Sequence, residues 1–496
     1  MTFNRSSGIL LHPTSLPGPN GIGELGPAAY RWIDFLADAG CRYWQILPLG
    51  PTSYGDSPYQ CFSAFAGNPY LVSFERLLEE GLLVPADMQD RPEFDPERVD
   101  FGVIYQWKLA VLDKAYERFA AGSFDMLEEK FAAFQEEHEH WLPDFALFMA
   151  LKDAHGGKPW TDWSAALRGR EKRVLTRANK AHAPNVAKHA FRQFLFFQHW
   201  IDVRTYAHSK GVQIIGDAPI FVAMDSADVW ANPERFYLDD SGQPTVVAGV
   251  PPDYFSETGQ LWGNPLYRWD LHKENGYSWW LNRLSMVLST VDIVRLDHFR
   301  GFYDYWEIPA DAETAVNGEW KKGPAEDFFK AVEDHFGSLP IIAEDLGELS
   351  PGVYKLRDKL GLPGMKILVF AFTDDESNLF MPHNHTENNV VYTGTHDNDT
   401  VLGWWNRVEE REREFARRYL NTTGDDISWD IIRAAWESVC FFALAPMQDF
   451  LALDNRARMN YPGVPSGNWQ WRMQEDALTD ELKAKIRTLN EKTNRL

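Results

Sequence analysis

Asp292-Ile293-Val294-Arg295-Leu296-Asp297-His298 is the stretch on which the fold turns. A short apolar, β-branched run that ends in polar residues suits a strand buried on both sides of a parallel sheet. Seven more such runs occur along the chain, at 8–11, 43–49, 212–215, 339–343, 365–370, 389–392 and 440–445. Helix-like stretches lie between most of them, for example at 28–39, 325–336, 351–360 and 409–420. Eight strands interleaved with helices predict a (β/α)8 TIM barrel spanning residues 1–496 as one catalytic unit.

Two spacers are too long for simple crossovers. About 160 residues separate the second and third runs, against about 30 in a βαβ unit. Both spacers leave the C-terminal ends of strands, where a barrel keeps its active site. We expect a helical insertion at 71–211 after strand 2 and a second inserted subdomain at 223–290 after strand 3. The second spacer holds a Gly- and Pro-punctuated stretch at 249–267 that carries Tyr254, Phe255 and Trp262. Large aromatics on such a loop suit a lid. Too little chain follows the eighth run for a C-terminal β-sandwich.

Composition narrows the function. The 496 residues carry 49 basic and 72 acidic side chains, a net charge of −23. Such a chain repels phosphate backbones and anionic surfaces, so nucleic acid and membrane are excluded as partners. Aromatics reach 14%, and flat rings suit either a large core or the stacking of sugar rings. Three cysteines show neither a disulfide framework nor metal-ligand spacing. With no signal-peptide layout and no long apolar span, a soluble cytoplasmic setting is expected.

Acidic residues sit at four of the predicted strand ends: Asp217, Asp297, Glu344 and Asp397. Stability alone gives no reason to gather like charges on one rim. Glycosyl chemistry does, since it needs one carboxylate as nucleophile and one carboxylic acid as proton donor. Arg295 and Asp297 are two apart on a strand and share a face, so Arg295 can keep Asp297 ionised. Glu344 follows Ile341-Ile342-Ala343, an apolar setting that favours the protonated form. His396 adjoins Asp397 where the chain leaves its strand, so both can reach one ligand.

Arg295-Leu-Asp297-His298, Ala343-Glu344-Asp345 and His396-Asp397-Asn398 resemble the short motifs of the α-amylase clan. Longer strings are similar to one branch of it, the 4-α-glucanotransferases known as amylomaltases or disproportionating enzymes. They include Gly50-Pro-Thr-Ser-Tyr-Gly-Asp-Ser-Pro-Tyr-Gln60, Gly394-Thr-His-Asp-Asn-Asp-Thr400, Arg458-Met-Asn-Tyr-Pro-Gly463 and the whole of 249–267. The resemblance implies disproportionation of α-1,4-glucans, with a maltooligosaccharide donor and a glucan or glucose acceptor, through a covalent glucosyl-Asp intermediate. It implies no metal and no organic cofactor. Asp297 would be the nucleophile, Glu344 the acid and then the base, and Asp397 the group that holds the reacting glucose. Arg295, His396 and Asp217 would complete that subsite, with Tyr59 stacking on the sugar. Tyr254, Phe255 and Trp262 would cover the glucan, and Ser57, Phe370 and Asn460 would be outer contacts. Ser53 departs from the glycine expected there. The residues alone leave open a hydrolase of the same clan and a non-catalytic glucan-binding barrel. The choice of transfer over hydrolysis rests on the resemblance.

Overall fold

A computed structural model describes residues 4–122, 124–252, 256–347, 349–373 and 375–496. Its strands in chain order are β1 (Ser6–Leu10), β2 (Tyr43–Gln45), β3 (Gln213–Pro219), β4 (Val246–Val250), β5 (Gln260–Pro265), β6 (Ile293–Asp297), β7 (Asp304–Pro309), β8 (Glu319–Lys322), β9 (Ile341–Ala343), β10 (Gly364–Ile367), β11 (Asn389–Tyr392) and β12 (Phe442–Pro446). Eight of them form a parallel sheet in the order β10-β11-β12-β1-β2-β3-β6-β9. The sheet curls into a barrel whose seam is bridged where Ala343 N–H donates to Pro363 O at 2.9 Å. Each of the eight apolar runs contributes one barrel strand.

Strand ends differ from the runs for local reasons. The run at 43–49 is strand only to Gln45, because Pro48 has no N–H to continue the ladder. The run at 365–370 turns into a 3₁₀ segment, Leu368–Phe370, after Ile367. The first crossover helix, Pro27–Asp38, buries Ala29, Trp32, Ile33 and Leu36, a spacing that lines one helical face. Proline at its first position fits the start of a helix.

Between β2 and β3 the chain is mostly helical, with Phe101–Ala120, Asp125–Glu137, Leu142–Ala154 and Lys172–Ala181 leading to the long helix Ala183–Ser209. Much of the aromatic content is used here as core: the Phe119 and Phe191 rings stack at 4.5 Å, and Phe131, Phe134 and Phe194 close around them.

The second spacer is not a helical subdomain throughout. Besides Trp269–Glu274 and Ser278–Thr290, it supplies β4 and β5 to a four-stranded antiparallel sheet, β5-β4-β7-β8. The stretch 249–267, expected as an irregular loop, has residues 249–250 in β4 and 260–265 in β5, which pair with each other antiparallel. Gly249 has no room for a side chain, since a Cβ there would lie 2.2 Å from Gln260 O. No helix among the described residues is long and apolar enough to cross a membrane.

Barrel closure predicts where a single methyl is not tolerated. A Cβ on Gly8 of β1 would sit 2.5 Å from both Tyr43 O and Leu444 Cδ2. Gly8→Ala should therefore cost about 1–3 kcal/mol by overpacking. A lowered thermal midpoint by calorimetry is the expected result, and an unchanged midpoint would mean that these strands part freely.

Candidate active site

The site is built on neighbouring strands. In the parallel register Asp217 of β3 pairs with Arg295 of β6, and Pro219 pairs with Asp297. Arg295 Nη1 donates to Asp217 Oδ2 at 2.7 Å and lies 3.0 Å from Asp297 Oδ1. The side chains of Asp217 and Arg295 are 0% and 4% exposed, while that of Asp297 is 28% exposed. One buried cation is thus shared by a buried carboxylate and one that faces the cleft. Burial would lower the Arg295 pKa, but Asp217 and Asp297 hold it well above the ordinary value. Burial pushes Asp217 up, with Arg295 opposing and the charge of Asp297 adding to the rise. Tyr59 O–H donates to the same Asp217 Oδ2 at 2.7 Å, and its ring stacks on His396 at 5.0 Å.

Glu344 leaves the end of β9, the strand that pairs with β6 on the side away from β3. Its Oε2 accepts from His298 N–H at 2.7 Å and its Oε1 from Leu346 N–H at 3.0 Å. Main-chain bonds from Glu344 N to Leu296 O (3.1 Å) and from Phe299 N to Glu344 O (3.1 Å) bind the two strand ends together. The Glu344 carboxyl is therefore held one residue from Asp297. His298 makes this possible with left-handed backbone angles, φ 51° and ψ 51°, which are rare for a residue with a side chain. Burial and the charge of Asp297 push the Glu344 carboxyl up to about 7, against the opposing pull of Arg295 and of the two backbone donors. The His298 ring, pushed down to about 4 by burial, stands edge-on to Trp262 at 4.9 Å.

Asp397 comes from the loop after β11. His396 Nε2 lies 3.3 Å from its Oδ2, and Asn460 Nδ2 donates to its Oδ1 at 2.6 Å. Burial alone would raise this carboxyl, but His396, Asn460 and Arg295 hold it well below the usual carboxylate range. The cluster therefore contains four carboxyls in different settings: Asp217 and Asp297 share one cation, Glu344 is buried on two backbone donors, and Asp397 lies among side-chain donors.

The fold brings Tyr59, Asp217, Arg295, Asp297, Glu344, His396, Asp397 and Asn460 together, with Trp262 joined through His298. Ser57 enters only by accepting from Tyr59 N–H at 3.2 Å. Phe370 sits beyond β10, with its ring 5.6 Å from that of Phe380. Tyr254 and Phe255 lie outside the described residues. Ser53 has φ −122° and ψ −112°, so the departure from glycine does not fall on a positive-φ position. Two neighbours escaped the sequence reading. Arg458 donates to Asp397 O at 2.5 Å, and Trp469 lies with its ring 5.8 Å from both Tyr59 and His396. Arg458 opens the 458–463 string, so it was visible as part of a motif but without a role. Trp469 gave no signal beyond being aromatic. Among the described residues no group of three or more His, Cys, Asp or Glu is arranged to hold a metal ion.

A family model described as 4-alpha-glucanotransferase, of glycoside hydrolase family 77, matches residues 11–479. The chain is 53% identical to a 4-alpha-glucanotransferase of Thermus thermophilus, with all of both chains covered. It is 48% identical to one of Synechocystis, covering 99% of this chain and 98% of that protein. Among solved structures, an amylomaltase from Streptococcus agalactiae in complex with acarbose superposes with a TM-score of 0.96 at 41% identity over 99% of each chain.

The shared cation makes a testable demand. Arg295→Met leaves Asp217 and Asp297 as facing like charges with nothing between them, which raises the pH at which the pair takes up a proton. We expect kcat/KM to fall by at least about 1000-fold, an electrostatic loss of about 4 kcal/mol. The acid limb of the residual activity should move to higher pH. An acid limb that stays in place would show that Arg295 does not govern the ionisation of these carboxyls.

Proposed function

The chain belongs to the 4-alpha-glucanotransferase family, and from that premise we propose that it disproportionates α-1,4-glucans by a double displacement on Asp297. The observation that carries this reading is a carboxylate on a buried cation standing beside a carboxyl pushed up to about 7. Two such environments divide the roles of nucleophile and acid.

In the first half, Asp297 attacks the anomeric carbon of the donor glucan. Arg295 engages its Oδ1, which leaves Oδ2 as the attacking oxygen. The C1–O bond breaks as Glu344 gives its proton to the departing 4-oxygen, and a glucosyl ester forms on Asp297. In the second half the 4-hydroxyl of an acceptor glucan or glucose attacks C1. Glu344, now ionised, takes that proton, and Asp297 leaves as carboxylate. Two inversions retain the α configuration. The two backbone donors on Glu344 hold its carboxyl at one place for both proton transfers. Asp397, kept anionic, holds the hydroxyls of the reacting glucose, with His396, Asp217 and Tyr59 completing the subsite.

Transfer over hydrolysis requires that a sugar hydroxyl reach the ester before water does. A cover over the cleft favours this by excluding water. Trp262, on the β5 strand of the hairpin and in contact with His298, supports such a cover, with Tyr254 and Phe255 as its other members. Ser57, Phe370 and Asn460 would meet the glucan further out. The inserted segments 71–211 and 223–290 wall the cleft. All three cysteines are free, which supports a cytoplasmic location.

Maltotriose alone should give glucose together with a ladder of longer oligomers, while the total of reducing ends stays nearly constant. A steady rise in reducing ends without longer products would mean a hydrolase. An α-glucosyl fluoride, whose leaving group needs little protonation, separates the two carboxyls. Glu344→Gln should accumulate a covalent glucosyl adduct because its base is missing, and Asp297→Asn should form none. Mass spectrometry of the quenched proteins reads both. An adduct on a residue other than Asp297 would overturn the assignment.

A further inference from the structure

We infer that Arg458, which touches no reacting atom, is the positioning residue that sets Asp397 for the transition state. Asp397 hangs on the segment 393–400, between β11 and the helix Val401–Arg407. The two ends of that segment are staked by one buried carboxylate. Asp449 Oδ2 accepts from Thr393 Oγ1 at 2.6 Å and its Oδ1 from Val401 N–H at 2.8 Å. A small cavity lined in part by His12, His396, Asn398 and Arg458 adjoins the middle of the segment. Inside the segment Thr395 N–H and Oγ1 donate to Asn398 Oδ1, and Asp397 N–H donates to Thr395 Oγ1. From outside it, the carbonyls of His396 and Asp397 accept from residues 458–460.

Arg458 Nη2 donates to Asp397 O at 2.5 Å, and its Nε donates to Asn460 O at 2.7 Å. Asn460 N–H then donates to His396 O at 3.1 Å, and its side-chain amide holds Asp397 Oδ1 at 2.6 Å. One guanidinium thus locks together the main chain of the residue that carries the carboxylate and the main chain of the residue that orients it. The fork geometry is what spans two carbonyls at once, and an ammonium group cannot reproduce it. The guanidinium also lies over the Tyr461 ring at 4.3 Å, which fixes its plane. A shift of the 396–397 main chain would move His396 and Asp397 together.

This inference rests on the proposed role of Asp397 in holding the hydroxyls of the reacting glucose, and the test separates the two. Turnover of α-glucosyl fluoride and of its 2-deoxy and 3-deoxy counterparts is compared for wild type, Arg458→Ala, Arg458→Lys and Asp397→Asn. We expect Arg458→Ala to lower kcat on the parent fluoride by about 100-fold, the scale of a displacement of about 1 Å. KM for maltotriose should barely change, and guanidinium ion at non-denaturing concentration should restore part of the loss. On at least one deoxy fluoride the loss should shrink, because the contact that Arg458 serves is already missing from the substrate. Should Arg458→Ala fail to fold, Arg458→Lys carries the same comparison. A loss of equal size on all three fluorides, or no loss at all, overturns the positioning role. If Asp397→Asn itself loses equally on all three, the role of Asp397 in holding the sugar fails, and the inference falls with it.

Discussion

One guanidinium between two carboxylates is the constraint on which the rest of the site depends. Arg295 is almost wholly buried in the barrel, with Asp217 on one side and Asp297 on the other. A buried charge is tolerated only when paired and hydrogen-bonded, and removing one partner leaves the other uncompensated. Parallel strands β3 and β6 meet this demand by register, since Asp217 and Arg295 are direct neighbours across the ladder. Asp217, sealed from solvent and bonded to Tyr59, anchors the cation. Asp297, two residues further along the strand, is the member that reaches the cleft.

The other carboxyls are then set against that pair. Glu344 feels the negative charge of Asp297 and the loss of water together, which drives it up. Asp397 feels the donors of His396 and Asn460, which drive it down. Two acidic side chains in one cleft are thus driven in opposite directions, because their surroundings differ more than their chemistry does. The left-handed turn at His298 couples Glu344 to Asp297, since its N–H is aimed at Glu344 by a backbone that few side chains accept.

The barrel and its rim were legible from local pattern, because buried parallel strands read as short apolar runs and their polar ends mark where a site lies. The Arg295–Asp297 pair was legible from a spacing of two. The antiparallel sheet was not. β8 reads Glu319-Trp-Lys-Lys322 and is largely exposed, so no apolar run announces it. β4 pairs with β7, more than fifty positions away, and no local pattern shows that partner. The hairpin within 249–267 was hidden by the glycines and prolines that punctuate it. Arg458 and Trp469 reach the site only through tertiary packing of a segment with little regular structure of its own. Aromatic content was ambiguous for the same reason: Phe191 and Trp262 look alike in sequence, yet one fills a core and the other meets the site.

The division of roles between Asp297 and Glu344 depends on the ionisation of Glu344 in the intact cleft. Carbon-13 labelling of the glutamate carboxyls, with an NMR titration of wild type beside Glu344→Gln, measures it directly. We predict one wild-type signal with a midpoint near the value of about 7 that burial and Asp297 impose, and its absence from Glu344→Gln. A wild-type protein in which every glutamate titrates near the ordinary value of about 4.3 would contradict the division of roles on which the mechanism is built.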